Sequence, residues 1–120
     1  MKILVIEDDA VVRKFIIATL ETERHTVFEA CNGKEGLLFL KEHSGISIII
    51  TDIVMPEKEG IETIMEVKRY YPAIKIIAIS GGGKNSPENY LILAKALGAH
   101  VTLKKPFNVN DLLMSLQSSD

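Results

Sequence analysis

Carboxylates stand at two separate places in the chain, Glu7-Asp8-Asp9 and Asp52, each after an apolar run rich in β-branched residues. A hydroxyl, Ser80, follows another such run, and a lysine pair, Lys104-Lys105, follows the last one and precedes Pro106. Neither histidine nor cysteine adjoins any of these groups. Clustered carboxylates of this kind suit a hard, oxygen-preferring cation such as Mg²⁺, which keeps some of its waters and needs few protein ligands. Such a cation neutralises charge on a phosphoryl group. Asp52 is then a candidate nucleophile for an aspartyl phosphate, a lysine ammonium can pair with one phosphate oxygen, and the Ser80 hydroxyl can hydrogen-bond another. Each residue also has a plain alternative. Asp is a favoured helix cap, most lysines are surface charges, and a serine before three glycines is ordinarily a loop residue. The chemical reading therefore requires a fold that brings four chain segments to one place.

The periodicity predicts such a fold. Short apolar segments at Ile3 to Ile6, Thr26 to Ala30, Ile46 to Ile50, Ile74 to Ile79 and His100 to Leu103 predict strands. Between and after them, apolar residues recur at helical spacing: Val11, Val12, Phe15, Ile16, Leu20; Leu37, Leu38, Leu40; Ile61, Ile64, Met65, Val67; Leu91, Leu93, Ala94, Leu97; Leu112, Leu113, Leu116. Asn32-Gly33 and Pro72 mark breaks, and Gly98 stands where a helix C-cap is expected. Ser86-Pro87-Glu88 has the form of a helix start, and Asn108 or Asn110 is placed to cap the last helix ahead of Asp111. Strands alternating with helices predict an α/β fold, a parallel sheet with helices on both faces. Near-continuous Ile in the first, third and fourth strands fits burial on both sides. Ligands of such sheets bind beyond the carboxyl ends of the strands. Glu7-Asp8-Asp9, Thr51-Asp52, Ser80 and Lys104-Lys105 are all expected there. The loop Gly81-Gly82-Gly83-Lys84-Asn85 is expected to be mobile.

Composition narrows the function classes. A chain of 120 residues fits one domain, 1–120. A net charge of -2 gives no electrostatic case for nucleic acid or an anionic membrane as partner. The apolar run after Met1-Lys2 meets Glu7 too soon to be a signal peptide or a membrane span. The single cysteine, Cys31, cannot form an internal disulfide and is expected to be a buried or inert thiol. A cytoplasmic location is the expectation that fits both features.

These residues resemble the receiver domains of bacterial two-component response regulators. The likeness runs from Ile3-Leu4-Val5-Ile6-Glu7-Asp8-Asp9 through Arg13, to Asp52-Ile53-Val54-Met55-Pro56 and Gly60, and to Gly98-Ala99 ahead of Lys105-Pro106-Phe107. The blocks keep the family's order and approximate spacing over essentially the whole chain. The resemblance implies a doubly wound, flavodoxin- or CheY-like (βα)5 fold with a five-stranded parallel sheet in the order 2-1-3-4-5. It implies that Asp52 is the phospho-acceptor, that Glu7 and Asp8 are the acidic pair for Mg²⁺, and that Asp52 and the backbone carbonyl of Val54 complete the ligand set. Ser80 matches the switch hydroxyl and Lys105 the phosphate-pairing lysine. Asp9 is then a helix cap or a charge outside the ligand set, and Lys104 points elsewhere. In such regulators the proline matching Pro106 often follows a cis peptide. The implied function is a phosphorylation-dependent switch, fed by a histidine kinase or phosphotransfer protein. It catalyses its own phosphoryl transfer and dephosphorylation and is not a classical turnover enzyme. Output to a protein partner is expected through the fourth helix (about Pro87 to Leu97), the fifth strand and the fifth helix.

Two departures from the family pattern stand out. Thr102 occupies the fifth-strand position that often carries Tyr or Phe, so the aromatic movement coupled to the switch hydroxyl is unavailable in its usual form. Gly82 and Val54 offer no polar side chain to orient an attacking water, which predicts slow loss of the phosphoryl group. Rival readings fit less well. A Mg²⁺-dependent phosphatase of haloacid-dehalogenase type would carry a second aspartate where Val54 stands. A flavodoxin-like cofactor protein would need a phosphate-cradling loop after the first strand, where Glu7-Asp8-Asp9 would repel phosphate. A module that binds partners without phosphorylation is disfavoured by the intact set of Glu7, Asp8, Asp52, Ser80 and Lys105.

Overall fold

The structure is a computed structural model and describes residues 1–53, 59–80, 92 and 94–118. Five parallel strands, β1 (Lys2–Ile6), β2 (Thr26–Ala30), β3 (Ile48–Asp52), β4 (Lys75–Ser80) and β5 (Val101–Lys104), form one sheet in the order β2-β1-β3-β4-β5. Helices α1 (Ala10–Thr22), α2 (Gly33–Glu42) and α3 (Glu59–Tyr70) follow the first three strands, α4 is described at residues 92 and 94–97, and α5 (Val109–Ser118) closes the chain.

The strands alternate between two cores, as strands covered on both faces must. Leu4, Ile6, Ile49, Ile76 and Ala78 point to one face and pack with Leu40 of α2, Ile64 and Val67 of α3 and Ala94 of α4. Ile3, Val5, Ile48, Ile50, Ile77 and Ile79 point to the other and pack with Ile16 and Leu20 of α1 and Leu112 and Leu116 of α5. The isoleucine runs are thus two interleaved period-2 patterns, each buried by its own helices.

The third strand lies further along the chain than the apolar run predicts. Its ladder pairs Ile3 with Ile48, Ile6 with Thr51, and Asp52 with Ile79. Ile46 is apolar because it is buried in the core next to α2 and α3, outside the ladder. The polar Thr51 and Asp52 are nevertheless strand residues, so Asp52 is delivered at the strand's carboxyl end.

Local chemistry fixes the helix ends. Asp9 caps α1, its carboxylate accepting from the amides of Val11 (2.9 Å) and Val12 (3.3 Å). Asn32 caps α2 by accepting from the Glu35 amide at 2.8 Å. Of the two candidates for α5, Asn108 is the cap. Its Oδ1 accepts from the Asp111 amide (2.8 Å), and Asp111 Oδ2 accepts in return from the Asn108 amide (3.1 Å), a reciprocal capping box. Gly98 ends α4 at φ +119°, and the next amide, of Ala99, donates to the Ala94 carbonyl. The predicted helix start at Ser86-Pro87-Glu88 and the loop Gly81 to Asn85 lie outside the described residues.

Cys31 is exposed, so of the expectation of a buried or inert thiol the burial does not hold. It follows the last residue of β2, where the chain leaves the sheet, and its amide donates to Glu35 Oε1 at 3.2 Å. No described helix is long and apolar enough to cross a membrane.

Candidate functional site

Parallel strand order places the carboxyl ends of β1, β3, β4 and β5 along one edge. Glu7 follows β1, and its amide donates to the Ala30 carbonyl at 3.1 Å. The Asp9 side chain is committed to capping α1, and Glu7 and Asp8 are the two carboxyl groups of the run that lie together with Asp52. This is the phasing that the resemblance implies. Glu7 and Asp52 are buried, Asp8 is exposed, and one carboxylate oxygen from each lies within 4.8 Å of the others. Lys105 reaches in from beyond β5. Its Nζ donates to Glu7 Oε1 at 2.9 Å and to Asp52 Oδ2 at 2.8 Å. The Lys105-Pro106 peptide is cis, and the Lys105 amide donates to the Ser80 carbonyl at 2.8 Å. Lys104 is exposed. Val54, expected to offer its carbonyl, lies outside the described residues.

Charge at the site is unbalanced. Three carboxyl groups share the site with one ammonium, which pairs with the two that are nearly without solvent. Burial pushes the Glu7 carboxyl up to about 8, against the hydrogen bond from Lys105; the charge of Asp52 and hydrogen bonds with Asp8 and Asp52 push it the same way. For Lys105, burial favours the neutral amine, but the hydrogen bonds to Asp52 and Glu7 outweigh it and raise the ammonium's pKa. The ammonium therefore stays charged. An all-carboxylate donor set with excess negative charge fits a hard divalent cation, and Glu7, Asp8 and Asp52 would hold it.

Ser80 completes the group. It is wholly buried at the end of β4, and its Oγ has no hydrogen-bond partner among the described residues. Leaving a buried hydroxyl unsatisfied costs about 1–3 kcal/mol, so the position favours a ligand that accepts from it. Register places it one residue past Ile79, the partner of Asp52 across the β3–β4 ladder. Thr102 sits two residues earlier on β5 than Lys104, half-buried and paired with Ala78.

Sequence reasoning gave no role to two neighbours. Arg13 donates from Nη1 to the Glu7 carbonyl at 2.7 Å and from Nε to Glu29 Oε1 at 2.9 Å. Its place one turn into the helix that follows the acidic run was the available signal. Gly60 lies against the strand end: a Cβ there would come within 2.5 Å of the Asp52 carbonyl oxygen and of Ile53 Cα. Beside Lys105, an open apolar depression of about 560 Å³ is lined by Val11, Val12, Phe15, Pro106 and Phe107.

The chain matches known proteins over nearly its full length. The family model for the response regulator receiver domain covers residues 3–117. The chain is 33% identical over 115 residues to the KDP operon transcriptional regulatory protein KdpE of Escherichia coli, aligning 96% of this chain and 49% of that protein. It is 31% identical over 116 residues to the sensor kinase CckA of Brucella abortus, aligning 96% of this chain and 12% of that protein. The chain thus spans half or less of the length of these curated relatives. A crystal structure of a response regulator receiver domain protein from Clostridium thermocellum superposes with a TM-score of 0.88 at 32% identity, covering 98% of this chain and 92% of that one.

Proposed function

The chain belongs to the response regulator receiver domain family, and from that premise we propose that it is a signalling switch that takes a phosphoryl group on Asp52. The observation that carries this reading is the Lys105 ammonium bridging two buried carboxylates, Glu7 and Asp52, from different strand ends. An Asp52 oxygen attacks the phosphorus of a phosphohistidine on a histidine kinase or phosphotransfer protein. The new P–O bond forms as the P–N bond breaks, and the departing imidazole nitrogen takes up a proton. Glu7, Asp8, Asp52 and the Val54 carbonyl would hold Mg²⁺, which would supply charge neutralisation on the transferring oxygens. Lys105 pairs with one phosphoryl oxygen, and Ser80 donates its hydroxyl to another.

Movement of Ser80 toward the phosphoryl group then repositions the segment after β4. The altered surface of α4, β5 and α5 is read by a protein partner. The apolar depression beside Lys105 suits the donor, because it borders the accepting carboxylate's own partner. In this reading residues 1–120 act as one receiver domain in the cytoplasm, with one self-catalysed transfer per signal and no nucleic-acid or membrane contact of its own. Intact-mass spectrometry after incubation with acetyl phosphate tests it. One added phosphoryl mass, dependent on Mg²⁺ and absent from Asp52→Ala, is expected. No adduct under conditions that label another receiver would refute it.

A further inference from the structure

We propose that Arg13 is a positioning residue for the acidic site, and that its pairing with Glu29 sets how tightly Glu7 and Asp8 hold a divalent cation. The inference rests on the reading of those two carboxylates as the metal-holding pair. Arg13 is the fourth residue of α1, and its amide donates to the Asp9 carbonyl at 2.9 Å. Its side chain turns back over the loop, where Nη1 donates to the Glu7 carbonyl (2.7 Å) and Nε to Glu29 Oε1 (2.9 Å). The guanidinium thus joins three elements: α1 that carries it, β2 through Glu29, and the end of β1 through Glu7.

The effect on the metal-holding pair follows from the planar peptide. The Glu7 carbonyl and the Asp8 amide belong to one rigid unit. Ala30 fixes the amide of Glu7, and Arg13 fixes its carbonyl. With both sides held, the position of the Asp8 Cα, from which that exposed side chain departs, is also set. That constraint matters for a cation, because the three carboxyl groups offer oxygens within 4.8 Å of one another only while the β1–α1 loop keeps this course. A guanidinium is suited to the task, since its fork presents donors in fixed geometry. Glu29 orients that fork from outside. An ordinary exposed ion pair would have almost no effect on a neighbouring site. Here the Arg13 side chain is only 13% exposed, whereas Glu29 is 58% exposed.

Calorimetric titration of the full chain with Mg²⁺ alone tests the assignment, and acetyl phosphate labelling at varied Mg²⁺ supplies the second readout. Arg13→Met is expected to raise the Mg²⁺ Kd about 10- to 100-fold, the usual effect of losing a group that orients a metal ligand. Saturating Mg²⁺ should then restore the labelling rate. Arg13→Lys, which keeps the charge but not the fork, should fall between wild type and Arg13→Met. Glu29→Gln should shift the Kd in the same direction by less, and it decides the matter if Arg13→Met does not fold. Unchanged Kd values overturn the proposal, as does a loss of labelling that saturating Mg²⁺ cannot restore. A wild type that binds Mg²⁺ but takes no phosphoryl group would refute the proposed function, and the titrations would still decide the role of Arg13. A wild type that binds no Mg²⁺ would overturn both.

Discussion

The Lys105 ammonium does two things that a substitution can separate. It occupies the space between Glu7 and Asp52, and in the proposed transfer it offers a positive charge to an incoming phosphoryl oxygen. Lys105→Met keeps most of the bulk and removes the charge. Labelling of Asp52 by acetyl phosphate should fall about 10²- to 10³-fold, the effect of losing one preorganised group on a developing oxyanion. Mg²⁺ should bind no more weakly, and calorimetry should show tighter binding, because a competing cation has left the carboxylates. Weaker Mg²⁺ binding would mean that Lys105 holds the site's shape rather than its charge. Glu7 adds a pH dependence. Its carboxyl is raised to about 8 without metal, mainly by burial, and a cation must displace that proton. Apparent Mg²⁺ affinity should therefore climb as pH rises toward about 8 and level off above it. Stability of the metal-free protein runs the opposite way. The contribution of this group is fully present below the ordinary carboxyl value of 4.5 and is lost as pH rises through about 8. Thermal melts with and without Mg²⁺ at several pH values check both signs.

At the scale of elements, strand ends and helix caps divide the work. Asn108 serves only the start of α5, so Asn108→Ala should cost about 1 kcal/mol of stability and leave labelling of Asp52 unchanged. Gly60 is different. It lies in the first turn of α3, directly on the backbone of Asp52 and Ile53, and even a methyl group there meets main-chain atoms. Gly60→Ala should lower both stability and labelling, since either α3 or the end of β3 must shift. Denaturant melts and labelling rates, measured on both variants, separate the two cases. The acidic run and the caps were largely legible in the sequence, because each cap acts through its own neighbours. The boundary of β3 was not. Apolar periodicity reports burial, and Ile46 is buried without being paired, whereas Thr51 and Asp52 are paired without being apolar. The cap of α5 stayed open between Asn108 and Asn110 for a similar reason. Both residue types fit, and only the reciprocal bond with Asp111 selects one.

Across the whole molecule, the sheet order turns residues nearly a hundred positions apart into one site. Glu7 and Lys105 meet at 2.9 Å because β1 and β5 run parallel, with β3 and β4 between them. The sequence made the convergence legible through its strand ends and its family likeness. It placed Arg13 one turn beyond the acidic run but did not pair it with Glu29, since that contact depends on β2 lying beside β1. Nor did it reveal that Cys31 is exposed, since the thiol stands one residue beyond the sheet. The apolar depression beside Lys105 is also a product of the assembled fold, combining α1 with the segment before α5. Phe15→Ala should slow transfer from a protein donor while leaving labelling by acetyl phosphate unchanged, because the small donor needs no docking surface. Equal slowing with both donors would place Phe15 in the support of the site instead.

In the proposed transfer Asp52 itself carries the phosphoryl group. Borohydride reduces an acyl phosphate to the alcohol, so treatment after acetyl phosphate and Mg²⁺ should convert one aspartate to homoserine. Peptide mapping by mass spectrometry should find that homoserine at position 52 and only in samples that received both reagents. Conversion at Asp8 or Asp9, or homoserine formed equally without Mg²⁺, would contradict the account.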